Sequence, residues 1–249
     1  MTGPRGRSSV GRSGRSLDRP PRLALVVVAA LTTIGCRMLA PAPGPVVTEH
    51  HAVERGAATR ARVDIDMSPG DLEVQSGAKT LFEGDFDFNV PDLKPVIAYA
   101  VDGGTGTLKV SQGSASGSHE NEWRLSLDET TPVDLSVTLG AGDATLVLGR
   151  INLQSLTIRL GAGDLDVDLR GTPAKSYSVK VQSGAGDTTI RLPAGVGISA
   201  STSGLIGDSN VSGLEQRGER WVNPRAEGSP VTIDLTVQHA IGDLKIQAE

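Results

Sequence analysis

LGAGDATLVLGRINLQSLTIRLGAGDLDVDL, Leu139–Leu169, states one pattern twice: apolar alternation runs into Gly-Ala-Gly-Asp and resumes beyond it. Leu135, Val137 and Leu139 are odd-numbered before the first turn, and Leu146 and Leu148 are even-numbered after it. At the second turn the parity switches back, from Leu156, Ile158 and Leu160 to Leu165, Val167 and Leu169. Period-two alternation bounded by glycine marks a half-buried strand. Because side chains alternate along a strand, a turn that shifts parity by one keeps both flanking strands facing the same interior. Glycine supplies the positive φ, and the aspartate is expected to cap its own turn backbone as an Asx turn.

The same grammar recurs at Gly70-Asp71, Gly142-Asp143, Gly163-Asp164, Gly186-Asp187, Gly207-Asp208 and Gly242-Asp243. From Gly142 onward the intervals are 21, 23, 21 and 35 residues, the near-constant period of a repeat fold. An all-β chain follows, and two architectures fit it. In a β-solenoid, coils of about 21 residues stack in chain order around aliphatic columns. In an antiparallel meander or sandwich, GAGD is a hairpin loop. The regular period and an aromatic content of only 3% favour the solenoid, whose narrow interior suits Val, Leu and Ile. The six Gly-Asp pairs read as structural turns.

The 31 glycines follow no Gly-X-Y period, which excludes collagen, and 38% hydrophobic residues in regular alternation exclude a disordered chain. The net charge of -5 is unevenly placed. Arg5, Arg7, Arg12, Arg15, Arg19 and Arg22 against Asp18 make the first 35 residues +5, leaving -10 on the rest. An acidic body poor in aromatics lacks the basic footprint and stacking platform of a nucleic-acid binder.

The arginine-rich opening leads into LALVVVAALTTIG, Leu23–Gly35, too short to span a bilayer but the length of a signal-peptide core. It ends at Cys36, the single cysteine of the chain. Thr33-Ile34-Gly35-Cys36 resembles the lipobox of bacterial lipoproteins, with Thr33 where Leu is usual. That resemblance implies a lipoprotein signal peptide over 1–35, acylation of Cys36 and a membrane anchor, at the outer membrane in a Gram-negative cell. Residues 36–59, with APAPGPVV, read as a Pro-rich tether, and 60–249 as the folded domain. Irregular insertions are expected near 99–121 and 215–228.

LSVTLGAGDATLVLGRINLQSLTIRLGAGDLDVDL is similar to the toast-rack and "putative adhesin" domains of bacterial envelope proteins, most closely over Val133–Leu192. The resemblance implies a β-helical stack and a role at the cell envelope. Some relatives serve sensor systems that respond to envelope stress. The expectation is a non-enzymatic surface for an envelope protein or polymer, with a regulatory sensor as the alternative.

Other chemistry finds little footing. Asp164, Asp166 and Asp168 resemble the start of a calcium loop, but its glycine and glutamate positions hold Leu169 and Lys175. His50, His51, His119 and His239 lack zinc spacing and cysteine partners. GSASG has Ala115 where a nucleophile elbow needs serine, and no glycine turn is followed by the Lys-Ser/Thr of a phosphate loop. No metal or cofactor is expected. Glycan cleavage ranks last, because the aromatic platform for sugars is missing.

Overall fold

The computed structural model describes residues 44–115, 119–204 and 206–249. Its strands are β1 (Val47–Val53), β2 (Arg60–Pro69), β3 (Asp71–Ser76), β4 (Phe82–Phe88), β5 (Val96–Asp102), β6 (Thr105–Ser111) and β7 (Asn121–Leu127). There follow β8 (Val133–Ala141), β9 (Ala144–Val147), β10 (Leu153–Ala162), β11 (Leu165–Asp168), β12 (Tyr177–Ala185) and β13 (Thr188–Leu192). The last are β14 (Gly197–Ser203), β15 (Ser209–Ser212), β16 (Glu215–Arg217), β17 (Arg220–Val222), β18 (Thr232–Ile241) and β19 (Leu244–Ala248). They form two mixed sheets in a β-helix-like stack. One has nine strands in the order β1-β4-β7-β3-β9-β11-β13-β19-β15, the other ten in the order β16-β17-β14-β18-β12-β10-β8-β2-β6-β5.

Each Gly-Asp turn joins a strand of the ten-stranded sheet to one of the nine-stranded sheet. The repeated strands pair parallel with their equivalents, Ile158 between Val137 and Val181 and Val167 between Leu146 and Ile190. The turns are therefore arches between sheets, not hairpin loops. The parity argument holds on both sides of the turns: Leu135, Val137, Leu139, Leu146 and Leu148 are buried, as are Leu165, Val167 and Leu169.

The arches do not stack in chain order. The last, β18–β19, lies between β12–β13 and β14–β15. At the other end β2–β3 lies between β6 and β7 on one side and β8–β9 on the other. Hydrophobicity explains the C-terminal exchange. Ile233, Leu235, Val237, Leu244 and Ile246 are buried and apolar, whereas β15 is Ser-Asn-Val-Ser with three of four residues exposed. The apolar arch gains by having a neighbour on each side, and the polar one tolerates the end, as terminal repeats must.

Three expectations need correction. Within the stretch read as a tether, Val47–Val53 forms β1, paired antiparallel with β4. Alternation is present there, but polar side chains such as Glu49 and His51 occupy its inward positions and hide it. The irregular region near 99–121 holds most of β5 and all of β6, and among its described residues only 103–104, 112–115 and 119–120 lie outside strands. The one near 215–228 contains the β16–β17 hairpin, which pairs antiparallel with β14. Aromatics are not spread through the core: Phe82, Phe86, Phe88 and Trp123 gather on β4 and β7, with Phe86 edge-on to Trp123 at 5.2 Å. The signal segment and Cys36 lie outside the described residues.

Gly163 carries φ +126°, and a Cβ there would overlap the carbonyl oxygen of Gly142 on the neighbouring arch. Gly56, at φ +58°, has open space around it. Gly163→Ala should therefore lose about 3 kcal/mol or more, from strain and overlap together. Gly56→Ala should lose only about 1 kcal/mol. Urea unfolding midpoints check the difference, and equal losses would mean that the turns do not approach as closely as described.

Candidate functional site

The turns align into one edge of the stack. Gly142, Gly163, Gly186, Gly242 and Gly207 each sit against the carbonyl of the preceding glycine in the stack, those of Gly70, Gly142, Gly163, Gly186 and Gly242. The aspartates beside them do not cap their own turns as expected. Five of the six carboxylates, all but that of Asp208 on the last arch, accept the backbone N–H of the aspartate one arch further on. Asp143 N donates to Asp71 Oδ1 at 3.2 Å, Asp164 N to Asp143 at 2.9 Å and Asp187 N to Asp164 at 2.8 Å. Asp243 N donates to Asp187 at 2.9 Å and Asp208 N to Asp243 at 3.1 Å. Backbone bonds flank each rung, as from Gly163 N to Ala185 O and from Leu165 N to Asp187 O, both 2.8 Å. The turn is too tight for the strand ladder to satisfy its central N–H, and the carboxylate fills that place.

The three carboxylates that suggested calcium are otherwise engaged. Asp164 belongs to the ladder, Asp166 is held by both terminal nitrogens of Arg191, and Asp168 by Arg170 at 2.5 Å. Among the described residues, no group of three or more His, Cys, Asp or Glu side chains is placed to hold a metal ion. The hydrogen bonds from Arg170 hold the Asp168 carboxyl below its ordinary range. Burial pushes Asp128 upward, but donors from Thr131 and Thr130 outweigh it and its carboxyl also lies low. His50 and His51 meet Asp85 at 2.8 Å and Glu49 at 3.1 Å.

One buried polar group was missed. His239 Nδ1 lies 2.6 Å from Ser183 Oγ, which accepts from Thr188 Oγ1 at 3.1 Å. The register places Ser183 and His239 in the column that begins Met67, Leu139, Leu160. Parity could have found it, since Ile233, Leu235 and Val237 put His239 on the inward face. Its Nε2 is buried without a partner among the described residues. At 1% exposure the residue is closed off from solvent. The polar hollow of ≈ 590 Å³ beside Asp71, His119, Asn121 and Glu122 lies at the first rung of the ladder.

Residues 42–191 match the family model described as "N-terminal domain of toast_rack, DUF2154". A "putative cell adhesion protein" from Clostridium sporogenes ATCC 15579 shares the fold at 24% identity and a TM-score of 0.77, covering 82% of this chain and 100% of its own. A "putative adhesin" from Bacteroides fragilis NCTC 9343 is 12% identical over 81% of this chain and 97% of its own, with a TM-score of 0.29 that carries no weight for the fold. A comparison with curated proteins finds no match.

Asp164→Ala should lose about 1 kcal/mol, because the N–H of Asp187 exchanges its acceptor for water. Asp164→Asn keeps an acceptor oxygen and should stay within a few tenths of a kcal/mol of the parent. Equal losses in urea would make charge, not acceptance, the working property. The depressed carboxyls of Asp128 and Asp168 also set an acid limit. Their stabilisation is full above the unfolded value of about 4 and is lost as pH falls through their lower folded values. Below pH 4, the melting temperature of Asp128→Asn should fall less steeply with acid than that of the parent.

Proposed function

The chain belongs to the toast-rack family, and on that footing we propose that it is a non-enzymatic, exported lipoprotein of the cell envelope. Its stack is a β-solenoid with the coils at both ends out of chain order, and it presents a rigid face to an envelope protein or polymer. The observation that carries this reading is the straightness of the outward rows. On the ten-stranded sheet, Asp64, Ser136, Thr157, Lys180, Thr236 and Ser201 stand in register. Beside them run Asp66, Thr138, Arg159, Gln182, Gln238 and Ser203.

Strand spacing sets these groups about 4.8 Å apart, so each row of six runs about 24 Å along the face. The parallel ladders hold them in place before any partner arrives, so little ordering entropy opposes binding. A repeating polymer or an extended protein segment suits such a lattice better than a compact small molecule does. The Clostridium sporogenes neighbour carries a name in the same class of surface role. No helix among the described residues is long and apolar enough to cross a membrane, and acylation of Cys36 would supply the attachment.

In-cell crosslinking followed by mass spectrometry tests the reading, with Cys36→Ala and Arg159→Glu/Lys180→Glu variants in parallel. Cys36→Ala should leave the membrane fraction and lose the acyl mass. The double charge reversal should stay anchored but lose most of the crosslinked partner. Recovery of one membrane kinase, unaffected by the charge reversal, would replace this reading with a regulatory one.

A further inference from the structure

The two sheets end differently. At the end opposite the β14–β15 arch, the nine-stranded sheet finishes with β4 and β1 and the ten-stranded sheet with β5. Most edge strands carry polar protection: β1 has Glu49, His50 and His51, β16 has Glu215 and Arg217, and β15 is three-quarters polar. β5 is Val-Ile-Ala-Tyr-Ala-Val, with no charge before Asp102. Its outward side chains Val96, Ala98 and Ala100 are all exposed. Val46, Val47, Val96 and Val101 are four of the seven exposed large apolar side chains among the described residues, and all four lie on or beside β1 and β5. An uncharged apolar edge of this kind is a liability in water unless something covers it.

The path of the chain says what does. The N–H of Gly44 donates to the carbonyl of Asn89 at 2.9 Å, just past β4, so the polypeptide enters the folded body at this same end. Gly44 is only eight residues beyond Cys36. Even fully extended, that span holds Gly44 within about 28 Å of an acylated Cys36. The opposite end of the stack is about 40 Å farther along its axis. We propose that the β1–β5 end lies against the bilayer, with Val46, Val47, Val96 and Val101 at the headgroup–acyl boundary and the β15–β17 end directed away from it. The proposal rests on the lipoprotein reading above.

Charge agrees with a neutral lipid surface. On β1 and β4, Glu49 meets Lys94 at 2.6 Å and Asp87 meets Arg124 at 2.6 Å, while Glu83 accepts the backbone N–H of Lys79. Asp85 faces His50 across the same pair of strands. Four valines would bind lipid weakly by themselves. A short tether raises their effective concentration at the membrane, so weak contacts suffice.

The test uses the full acylated chain in phosphatidylcholine vesicles, with an environment-sensitive fluorophore on Val96→Cys or on Asn210→Cys. Quenching by a headgroup spin-labelled phosphatidylcholine should be several-fold greater at position 96 than at 210. Equal quenching, or more at 210, overturns the orientation. A Gly/Ser insertion of about twenty residues after Ala42 then separates contact from tethering. Quenching retained at position 96 supports an apolar contact, and quenching lost overturns it. Intact mass gives the state of Cys36 separately: an unmodified thiol refutes the anchor, and the orientation with it, whereas an acylated chain with the wrong quenching refutes the orientation alone.

Discussion

The closeness of one turn to the next is the constraint on which the stack depends. Parallel strands about 4.8 Å apart bring turn backbones into direct contact, with no layer of side chains between them. Gly142, Gly163, Gly186, Gly242 and Gly207 meet two demands at once, a positive φ and the absence of a Cβ against the neighbouring carbonyl. Once the turns touch, a central N–H faces the neighbouring arch with no backbone acceptor in reach. The aspartate carboxylate supplies one, always from the preceding arch in the stack. A one-residue slip would break every rung and turn every core residue outward, so turn and core enforce the same register.

The order of the arches follows from which of them tolerates the last place. A terminal arch has one face without a neighbour, and its inward positions are partly open. At the C-terminal end that place falls to β14–β15, with Ala200, Thr202 and Ser209 where β18–β19 has Leu235, Val237 and Leu244. The β16–β17 hairpin then covers the end of the ten-stranded sheet and brings Trp221 in beside Ala200. At the other end three antiparallel strands and the Phe82–Phe86–Phe88–Trp123 cluster close the core. Large aromatics belong there because the regular aliphatic columns have run out.

Much of this was legible in the sequence because it is local. Parity through GAGD gave the inward faces of β8 to β11, and the recurring Gly-Asp pairs gave the aligned turns. The exchange of the last two arches was hidden by the interval of 21 residues from Asp187 to Asp208, which equals that between the true neighbours Asp143 and Asp164. Spacing measures distance along the chain, and only pairing energies decide which arch lies beside which. The aspartate's partner was hidden for a related reason: an Asx turn and a bond to the next arch use the same residue, and the choice depends on a neighbour 21 to 72 residues away. β1 was masked by inward-facing Glu49 and His51, and His239 by the assumption that an apolar column stays apolar.

The charge on the ladder has its own logic. An asparagine could accept the same hydrogen bond, and six like charges in a row repel one another. In return, a carboxylate makes the stronger, charge-assisted bond, and at an exposed edge salt screens much of the repulsion. Repulsion also acts between molecules, since two such edges cannot approach without bringing their carboxylates together. The turn edge is thus closed to self-association by the same residues that hold it together, as charged edges commonly are. Contacts with other molecules are left to the two ends and to the broad sheet faces, whose outward rows are polar, mixed in charge and fixed in place.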